Sequence, residues 1–304
     1  MPSGRLTVAV RFLANPVQRA RALMRAAFPS AAILTVAILA SVPAARAAET
    51  KVWAEEPAHV VLAGCDANAP ITRLLVRAFR KLYPHVTFDI KSIGSTNGIA
   101  LAAAGAIDIG LTSRPLRDEE RQEGITYQPY ARTAVVIAAD PDLGADQITT
   151  QELIELHRGP DARWRGGREI ALFTREVGDS ATGVLKAELP GFTAAYEAGA
   201  GTSHSRMVYS EMDMHEAIVS VHFALGLSDL GIITIERLPV KILTLDGVSP
   251  SLSALASGQY RLARTLGFVF RPGALPAPAR AFLHFLDSDE AARLLTAHGY
   301  VPVR

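Results

Sequence analysis

Three loops of this 304-residue chain carry residues suited to holding an anion. They occupy positions 64–70, 94–98 and 178–183, and each follows a predicted strand and leads into a predicted helix. Backbone N–H groups at a helix amino terminus, Ser and Thr hydroxyls and guanidinium groups are the donors that bind oxyanions in proteins. In parallel α/β sheets such loops meet at the carboxyl ends of the strands, so their donors can converge on one ligand.

The second loop, Gly-Ser-Thr-Asn-Gly, is the most informative of the three. Ser95, Thr96, Asn97 and Gly98 are small enough to let backbone N–H groups approach an oxyanion, and their hydroxyls and amide add further donors. The competing interpretation is a plain turn and helix cap, because Ser, Thr and Asn are also the favoured capping residues. Both interpretations are open at this point.

Two arginines are candidates for the charged donor of such a site. Arg175 stands just before the Gly/Ser/Thr-rich third loop, and Arg114 follows a short predicted strand. A guanidinium presents forked donors to an oxyanion. The alternative for each is a surface arginine paired with a carboxylate, and Glu176 and Asp179 are near Arg175 in sequence.

Alternating strand and helix patterns must position these loops. Apolar residues recur at helical spacing from Pro70 to Pro84, and alternation over 86–90 predicts a half-buried strand. Residues 133–139 form a continuous apolar run, which favours a strand buried on both faces. Further strands are predicted near 59–62, 106–111, 169–173, 231–235 and 266–270, and helices near 99–104, 150–157, 181–189, 213–223, 277–287 and 289–297.

This alternation predicts an α/β fold with mixed, mostly parallel sheets. The length of the chain and its two central apolar strands indicate two lobes joined by a hinge. Lobe 1 is predicted to comprise 48–133 and 236–304, and lobe 2 to comprise 134–235.

Charge and composition exclude several classes of protein. The chain has 31 basic and 30 acidic residues, but six arginines and no acidic residue lie within 1–47, which leaves 25 basic against 30 acidic residues in the remainder. An acidic body argues against nucleic-acid binding, which needs a basic face. The single cysteine excludes an internal disulfide and a multi-cysteine metal site.

Residues 1–47 are predicted to be a signal peptide. Arginines precede an uncharged apolar stretch, and Ala45-Arg46-Ala47 supplies a small-x-small cleavage site. An uncleaved membrane anchor is the alternative, and a start at Met24 would give a more compact signal. Cleavage would place the mature protein in the periplasm.

The sequence carries few motifs that are typical of enzymes. The chain lacks a Gly-x-Ser-x-Gly elbow, a His-Glu-x-x-His pair, a phosphate loop ending in Gly-Lys-Ser/Thr and a Gly-x-Gly-x-x-Gly loop. A secreted hydrolase that uses Ser95 or Ser180 as nucleophile is the rival hypothesis, and it needs a histidine nearby, for which His204 is the candidate.

One group of residues has the types that ligate metals: His204, Glu211, Asp213, His215 and His222. Their spacing matches no defined zinc motif. The sequence therefore predicts neither a metal site nor any other cofactor.

Taken together, the loops resemble those of the periplasmic phosphate-binding-protein family of ABC importers. The resemblance spans roughly 58–304. Its segments are GSTNGI at 94–99, DIGLTSRPL at 108–116, REVGDSATG at 175–183, LGIIT at 230–234 and DGVSPSLSALASGQYRLAR at 246–264.

The resemblance implies a type II periplasmic-binding-protein fold, in which two α/β lobes close on an oxyanion. By position it implies ligand contacts from Ser95, Thr96, Asn97, Gly98, Arg175, Ser180 and Thr182, with Ser113 and Arg114 nearby. Asp66, where this chain departs from the family, is a further candidate. It further implies an exported, non-catalytic and monomeric protein that delivers inorganic phosphate or a similar oxyanion to an ABC permease in the inner membrane. Another ligand, or an envelope sensor without a transporter, is the alternative within the same fold.

The first loop departs from the family pattern Gly-Ser-Thr-Thr-x-x-Pro. Here it reads Gly-Cys-Asp-Ala-Asn-Ala-Pro, so the glycine and proline are kept and three hydroxyls are replaced. Asp66 either accepts a hydrogen bond from a protonated phosphate or repels the anion. Asp179 and Ala181 are departures in the third loop.

Overall fold

The computed structural model describes residues 57–121, 124–159, 163–199, 202 and 205–303. The predicted signal peptide, residues 1–47, therefore lies outside the described residues. Strands and helices alternate along most of the chain, as the sequence predicts. The strands are β1 (Ala58–Gly64), β2 (Val86–Ser92), β3 (Ile109–Thr112), β4 (Thr126–Ala139), β5 (Gln147–Ile148), β6 (Ala171–Arg175), β7 (Ser205–Val208), β8 (Ala224–Asp229), β9 (Lys241–Leu245), β10 (Ala263–Phe270) and β11 (Tyr300–Pro302).

The helices are α1 (Ala69–Leu82), α2 (Ser95–Ala104), α3 (Thr150–Arg158), α4 (Ser180–Glu188), α5 (Phe192–Gly199), α6 (Glu211–Ser220), α7 (Leu230–Glu236), α8 (Leu252–Ala256), α9 (Ala277–Phe285) and α10 (Asp289–Ala297). Seven of these ten helices among the described residues match predicted positions closely, and α5, α7 and α8 were not predicted.

The prediction of a strand near 231–235 is wrong. These residues form α7, and the strand precedes them as β8. A short apolar run has the same composition in a buried strand and in a buried helix, so periodicity alone does not distinguish the two.

The strands form one mixed sheet in the order β2-β1-β3-β10-β4-β8-β6-β7, and β9 and β11 also pair with β4. The pairs β1–β2, β1–β3, β6–β7 and β6–β8 are parallel, whereas β4 and β10 run antiparallel to their neighbours. The predicted mixed α/β architecture is confirmed, with an antiparallel centre between two parallel edges.

Two separate apolar clusters pack around this sheet, and β4 contributes to both. The first cluster combines β1–β3, β10, α1, α9 and α10. The second combines the carboxyl-terminal half of β4 with β6, β8 and α3–α6, and it also includes Leu243, Leu245 and Leu262. The lobe boundaries given above stay a prediction; the packing of 241–262 places that stretch with 134–233.

Candidate functional site

The second loop lies at the amino terminus of α2, close to the end of β1. The N–H groups of Ile93 and Gly94 donate to Gly64 O at 2.8 and 3.0 Å, and Gly94 has φ of 81°, which suits glycine. A side chain at Gly98 would lie 2.6 Å from Ala63 O, so glycine allows α2 to pack directly on β1. The helix begins at Ser95, and its first N–H groups point out of its amino terminus.

The side chains of this loop make local hydrogen bonds. Asn97 Nδ2 donates to Ile93 O at 2.8 Å, and Ser95 Oγ accepts from Ser113 N–H at 3.4 Å. The Gly98 N–H donates to Gly94 O, so it is occupied within the helix. Ser95, Thr96 and Asn97 line a cleft, whereas Gly98 lies behind them.

Two hydroxyls from different parts of the chain lie close together at this cleft. Ser180, the first residue of α4, has its Oγ 3.4 Å from Ser113 Oγ in the loop after β3. Ser113 Oγ in turn contacts Cys65 Sγ at the end of β1. The structure therefore brings together residues that are far apart in sequence.

Arg175 is the buried cation of the cleft. It ends β6, is 5% exposed, and lies beside three carboxylates. Its Nη2 is 3.7 Å from Asp66 Oδ2 and from Glu176 Oε1, and its Nε is 3.8 Å from Asp179 Oδ2. These distances exceed a hydrogen bond, and Nε and Nη1 have no hydrogen-bond partner among the described residues.

Arg175 stays protonated and positively charged despite its burial. Burial lowers its pKa, but Glu211, Asp179, Asp66 and Glu176 raise it more, so the net shift is upward. A buried guanidinium with unpaired N–H groups is costly without an acceptor. Arg175 is therefore the strongest donor that the cleft offers to an anion.

Arg114 is held differently, in the way that the alternative interpretation anticipates. Its Nη1 and Nη2 each donate to Glu120, both at 2.6 Å, and Nη2 also donates to Thr96 Oγ1 at 3.2 Å. The hydrogen bonding between Arg114 and Glu120 is the main cause that lowers the pKa of Glu120. Arg114 lines the cleft, but its guanidinium is already paired.

Asp66 is held by backbone donors on two sides of the cleft. Its Oδ1 accepts from Ala67 N–H at 3.0 Å, and its Oδ2 accepts from Glu211 N–H at 2.9 Å, at the start of α6. A carboxylate at a helix amino terminus is electrostatically favourable. Asp66 thus occupies a position in which an anion would also be stabilised, and it lies beside Arg175.

The third loop is shaped by a helix cap. Asp179 Oδ1 accepts from the N–H of Thr182 at 2.8 Å and from its hydroxyl at 2.9 Å, which starts α4. Thr182 is buried behind the loop, whereas Ser180 lines the cleft. Further residues line the cleft that were not predicted as site residues from the sequence. They are Cys65, Arg117, Glu176, Val177, Gly178 and Asp179.

A second buried arginine lies near the cleft, and sequence reasoning missed it. Arg264 on β10 is 1% exposed, and its Nη1 donates to Asp229 at 2.8 Å and to Glu211 at 3.2 Å. Burial raises the pKa of Glu211 to about 8 and that of Asp229 to about 6. The sequence feature that could have indicated a buried arginine is its position at the start of the strand 263–270, which is otherwise mostly apolar.

Among the described residues, the candidate metal ligands do not form one group. His215 is buried and hydrogen-bonds Ser228 Oγ at 2.9 Å, and burial, followed by Arg175, lowers its pKa to about 4. His222 instead lies on the surface beside Asp140 and Asp142, with ligand atoms within 4.8 Å of one another. His204, which the hydrolase hypothesis needs, lies outside the described residues.

Comparison with known proteins identifies the superfamily of the chain. A family model described as the PBP superfamily domain matches residues 48–290. The chain belongs to the PBP superfamily. Within the described residues, no helix has both the length and the apolar character needed to span a membrane.

Individual relatives narrow the resemblance. The Phosphate-binding protein PstS of Bacillus subtilis is 24% identical over 253 residues, which are 80% of each chain. A putative phosphate ABC transporter substrate-binding protein from Clostridium perfringens, solved with bound phosphate, has a TM-score of 0.73 at 20% identity and covers 81% of this chain and 100% of its own. An ABC-type phosphate transport receptor from Vibrio cholerae has a TM-score of 0.61 at 22% identity, with 80% and 99% covered. These relatives confirm the resemblance to phosphate-binding proteins at low identity, and the solved structures confirm the expected type II fold.

Proposed function

We propose that this protein is an exported, non-catalytic solute-binding protein that captures an oxyanion, with phosphate as the first ligand to test. The observation that carries the proposal is Arg175, whose buried Nε and Nη1 have no hydrogen-bond partner among the described residues and which lines the cleft. The amino terminus of α2 and the hydroxyls of Ser95 and Ser180 line the same cleft. A dehydrated oxyanion needs such preorganised donors because the loss of its hydration is costly.

Transport follows from closure of the cleft. Contacts that join the elements on its two sides include Ser180 Oγ to Ser113 Oγ, Glu211 N–H to Asp66, and Arg175 Nη2 to Asp66 Oδ2. A ligand held between them is shielded from water, and the closed form presents one shape to an ABC permease in the inner membrane. The names of the PstS relatives support this role.

A thermal-shift panel on the full chain tests the ligand, with phosphate, arsenate, sulfate, molybdate and a buffer blank. Ligand at about 1,000 times its dissociation constant adds about 4 kcal/mol to the free energy of unfolding. A shift with phosphate supports the proposal. No shift with any oxyanion overturns the proposed ligand class.

Export needs its own experiment. Cell fractionation compares the full chain with a variant that lacks residues 2–47. We expect a shortened protein in the periplasmic fraction for the full chain and retention in the cytoplasm for the deletion variant. Equal distribution of the two would contradict export through this segment.

A further inference from the structure

Cys65 lies in the wall of the cleft, where the family pattern has a hydroxyl. It is 6% exposed and is the single cysteine of the chain. Its N–H donates to Leu111 O at 3.0 Å, which fixes it at the end of β1. Its Sγ contacts Ser113 Oγ and lies 3.7 Å from Asp66 Oδ1.

The surroundings keep this thiol neutral and partly apolar. Burial is the main cause that raises the pKa of Cys65, so the group is S–H at neutral pH. On its other side, Cys65 packs with Ala67 and Ile232 in a small apolar cluster. A thiol is a weak hydrogen-bond donor, and Cys behaves as a small apolar residue when buried.

Apart from the hydroxyl of Ser95, this wall of the cleft offers few free donors close to Cys65. Arg114 is paired with Glu120, and carboxylates of Asp66, Glu176 and Asp179 lie around Arg175. An oxygen of phosphate that faced Sγ would have a weak donor beside the carboxylate of Asp66. Arg175, which is 5% exposed and whose Nε and Nη1 have no hydrogen-bond partner among the described residues, lines the same cleft.

We propose that Cys65 determines which oxyanion the cleft prefers, namely a phosphoryl anion in which one oxygen is replaced by an apolar substituent that faces the thiol. The ligand class is a phosphonate, in which three oxygens meet Arg175, the α2 amino terminus and the serine hydroxyls. A P–C substituent needs no donor, so it loses no hydrogen bond where it faces the thiol. This inference rests on the proposed function, since it assumes that the cleft binds oxyanions.

Isothermal titration with inorganic phosphate and with methylphosphonate tests the proposal on the full chain and on Cys65→Ser. The wild-type chain is expected to bind methylphosphonate more tightly than phosphate. The serine hydroxyl donates a stronger hydrogen bond, so C65S is expected to shift the ratio of the two affinities toward phosphate by about two- to tenfold. Ser253→Cys is the matched control. Ser253 is exposed on α8 and lies outside the cleft, so the additional thiol is expected to leave the ratio of the two affinities unchanged.

Cys65→Ala is a second variant, for use also if C65S fails to fold. Alanine keeps an apolar surface without a donor, so we expect its affinity ratio to stay within about twofold of the wild-type ratio. If phosphate binds the wild-type chain and C65S leaves the ratio unchanged, the inference is overturned and the proposed function stands. If neither anion binds the wild-type chain, the proposed function fails together with the inference.

Discussion

Two buried arginines lie close to the cleft, and their partners differ. Arg264 on β10 is 1% exposed and donates to Asp229 at 2.8 Å and to Glu211 at 3.2 Å. Arg175 on β6 is 5% exposed, yet its carboxylate neighbours stand 3.7 to 3.8 Å away. Only Arg175 lines the cleft.

The difference separates a structural role from a binding role. Arg264 joins β10 to the starts of α6 and α7, and direct hydrogen bonds offset part of its desolvation cost. Arg264 Nε and Nη2 also have no hydrogen-bond partner among the described residues, but Arg264 does not line the cleft. Arg175 has charge compensation without close hydrogen bonds to its carboxylates, so a ligand in the cleft need not displace one. Variants at the two positions are expected to change different measurements.

Arg264→Met is expected to have the largest effect, and the effect is on stability. Removing the cation leaves Asp229, which is fully buried, without its partner, and breaking a buried ion pair in this way costs about 3–5 kcal/mol. Urea unfolding followed by circular dichroism measures the loss. Arg261→Ala is the control, because Arg261 pairs with Asp246 at an exposed site, and about 0–1 kcal/mol is expected there. Equal losses for the two variants would contradict a structural role for Arg264.

Arg175→Ala is expected to act mainly on binding. A buried charge-assisted contact to a ligand carries about 2–5 kcal/mol, so phosphate affinity is expected to fall about 30- to 5,000-fold in isothermal titration. The free energy of unfolding without ligand is expected to fall less than in Arg264→Met, because Arg175 makes no close side-chain hydrogen bond to its carboxylate neighbours. Unchanged affinity would remove Arg175 from the site.

The Arg264 cluster also predicts a dependence of stability on pH. The folded state raises the pKa of Glu211 from 4.5 to about 8, mainly through burial. Between these values the folded state holds a proton that the unfolded state has lost, so the free energy of unfolding falls as pH rises. His215 acts with the opposite sign, because its pKa is lowered from 6.5 to about 4, but half of its titration in the unfolded state is over at pH 6.5 and nearly all of it about one pH unit higher.

Above pH 6.5 the contribution of Glu211 is therefore expected to dominate that of His215. We expect a loss of about 1–2 kcal/mol between pH 6.5 and 8 in urea unfolding, since one proton corresponds to about 1.4 kcal/mol per pH unit. Glu211→Gln, which cannot ionise, is expected to flatten this slope. A slope that persists in E211Q would assign it to another group.

Much of the fold is predictable from the sequence because local signals and tertiary packing agree. Pro70 stands in the first turn of α1, and the apolar run near 133–139 lies within β4, whose Ala134–Ala139 residues are all fully buried. The prediction fails at 231–235 because burial imposes a similar apolar composition on β8 and α7. The antiparallel pairing of β10 with β4 depends on contacts between distant segments, which no local pattern encodes.

The candidate site is predictable as a set of loops but not in its pairings. The sequence places Ser95, Ser180 and Arg175 near helix starts, and the structure brings them to one cleft. It does not distinguish Arg175 from Arg114, because each has carboxylates close by in sequence. The distinction arises from geometry: Glu120 reaches both Nη atoms of Arg114 at 2.6 Å, whereas Glu176 stays 3.7 Å from Arg175.

Arg114→Ala gives the smallest expected effect and sharpens this distinction. Its guanidinium already has two hydrogen bonds to Glu120 and one to Thr96, so a ligand would have to displace them to use it. We expect phosphate affinity to change less than about threefold, which corresponds to less than about 0.7 kcal/mol. Glu120→Gln serves as the matched variant, because it weakens the clamp and leaves Arg114 in place. If R114A loses as much affinity as Arg175→Ala, the anion displaces Glu120 on binding, and Arg114 and Arg175 hold the ligand together.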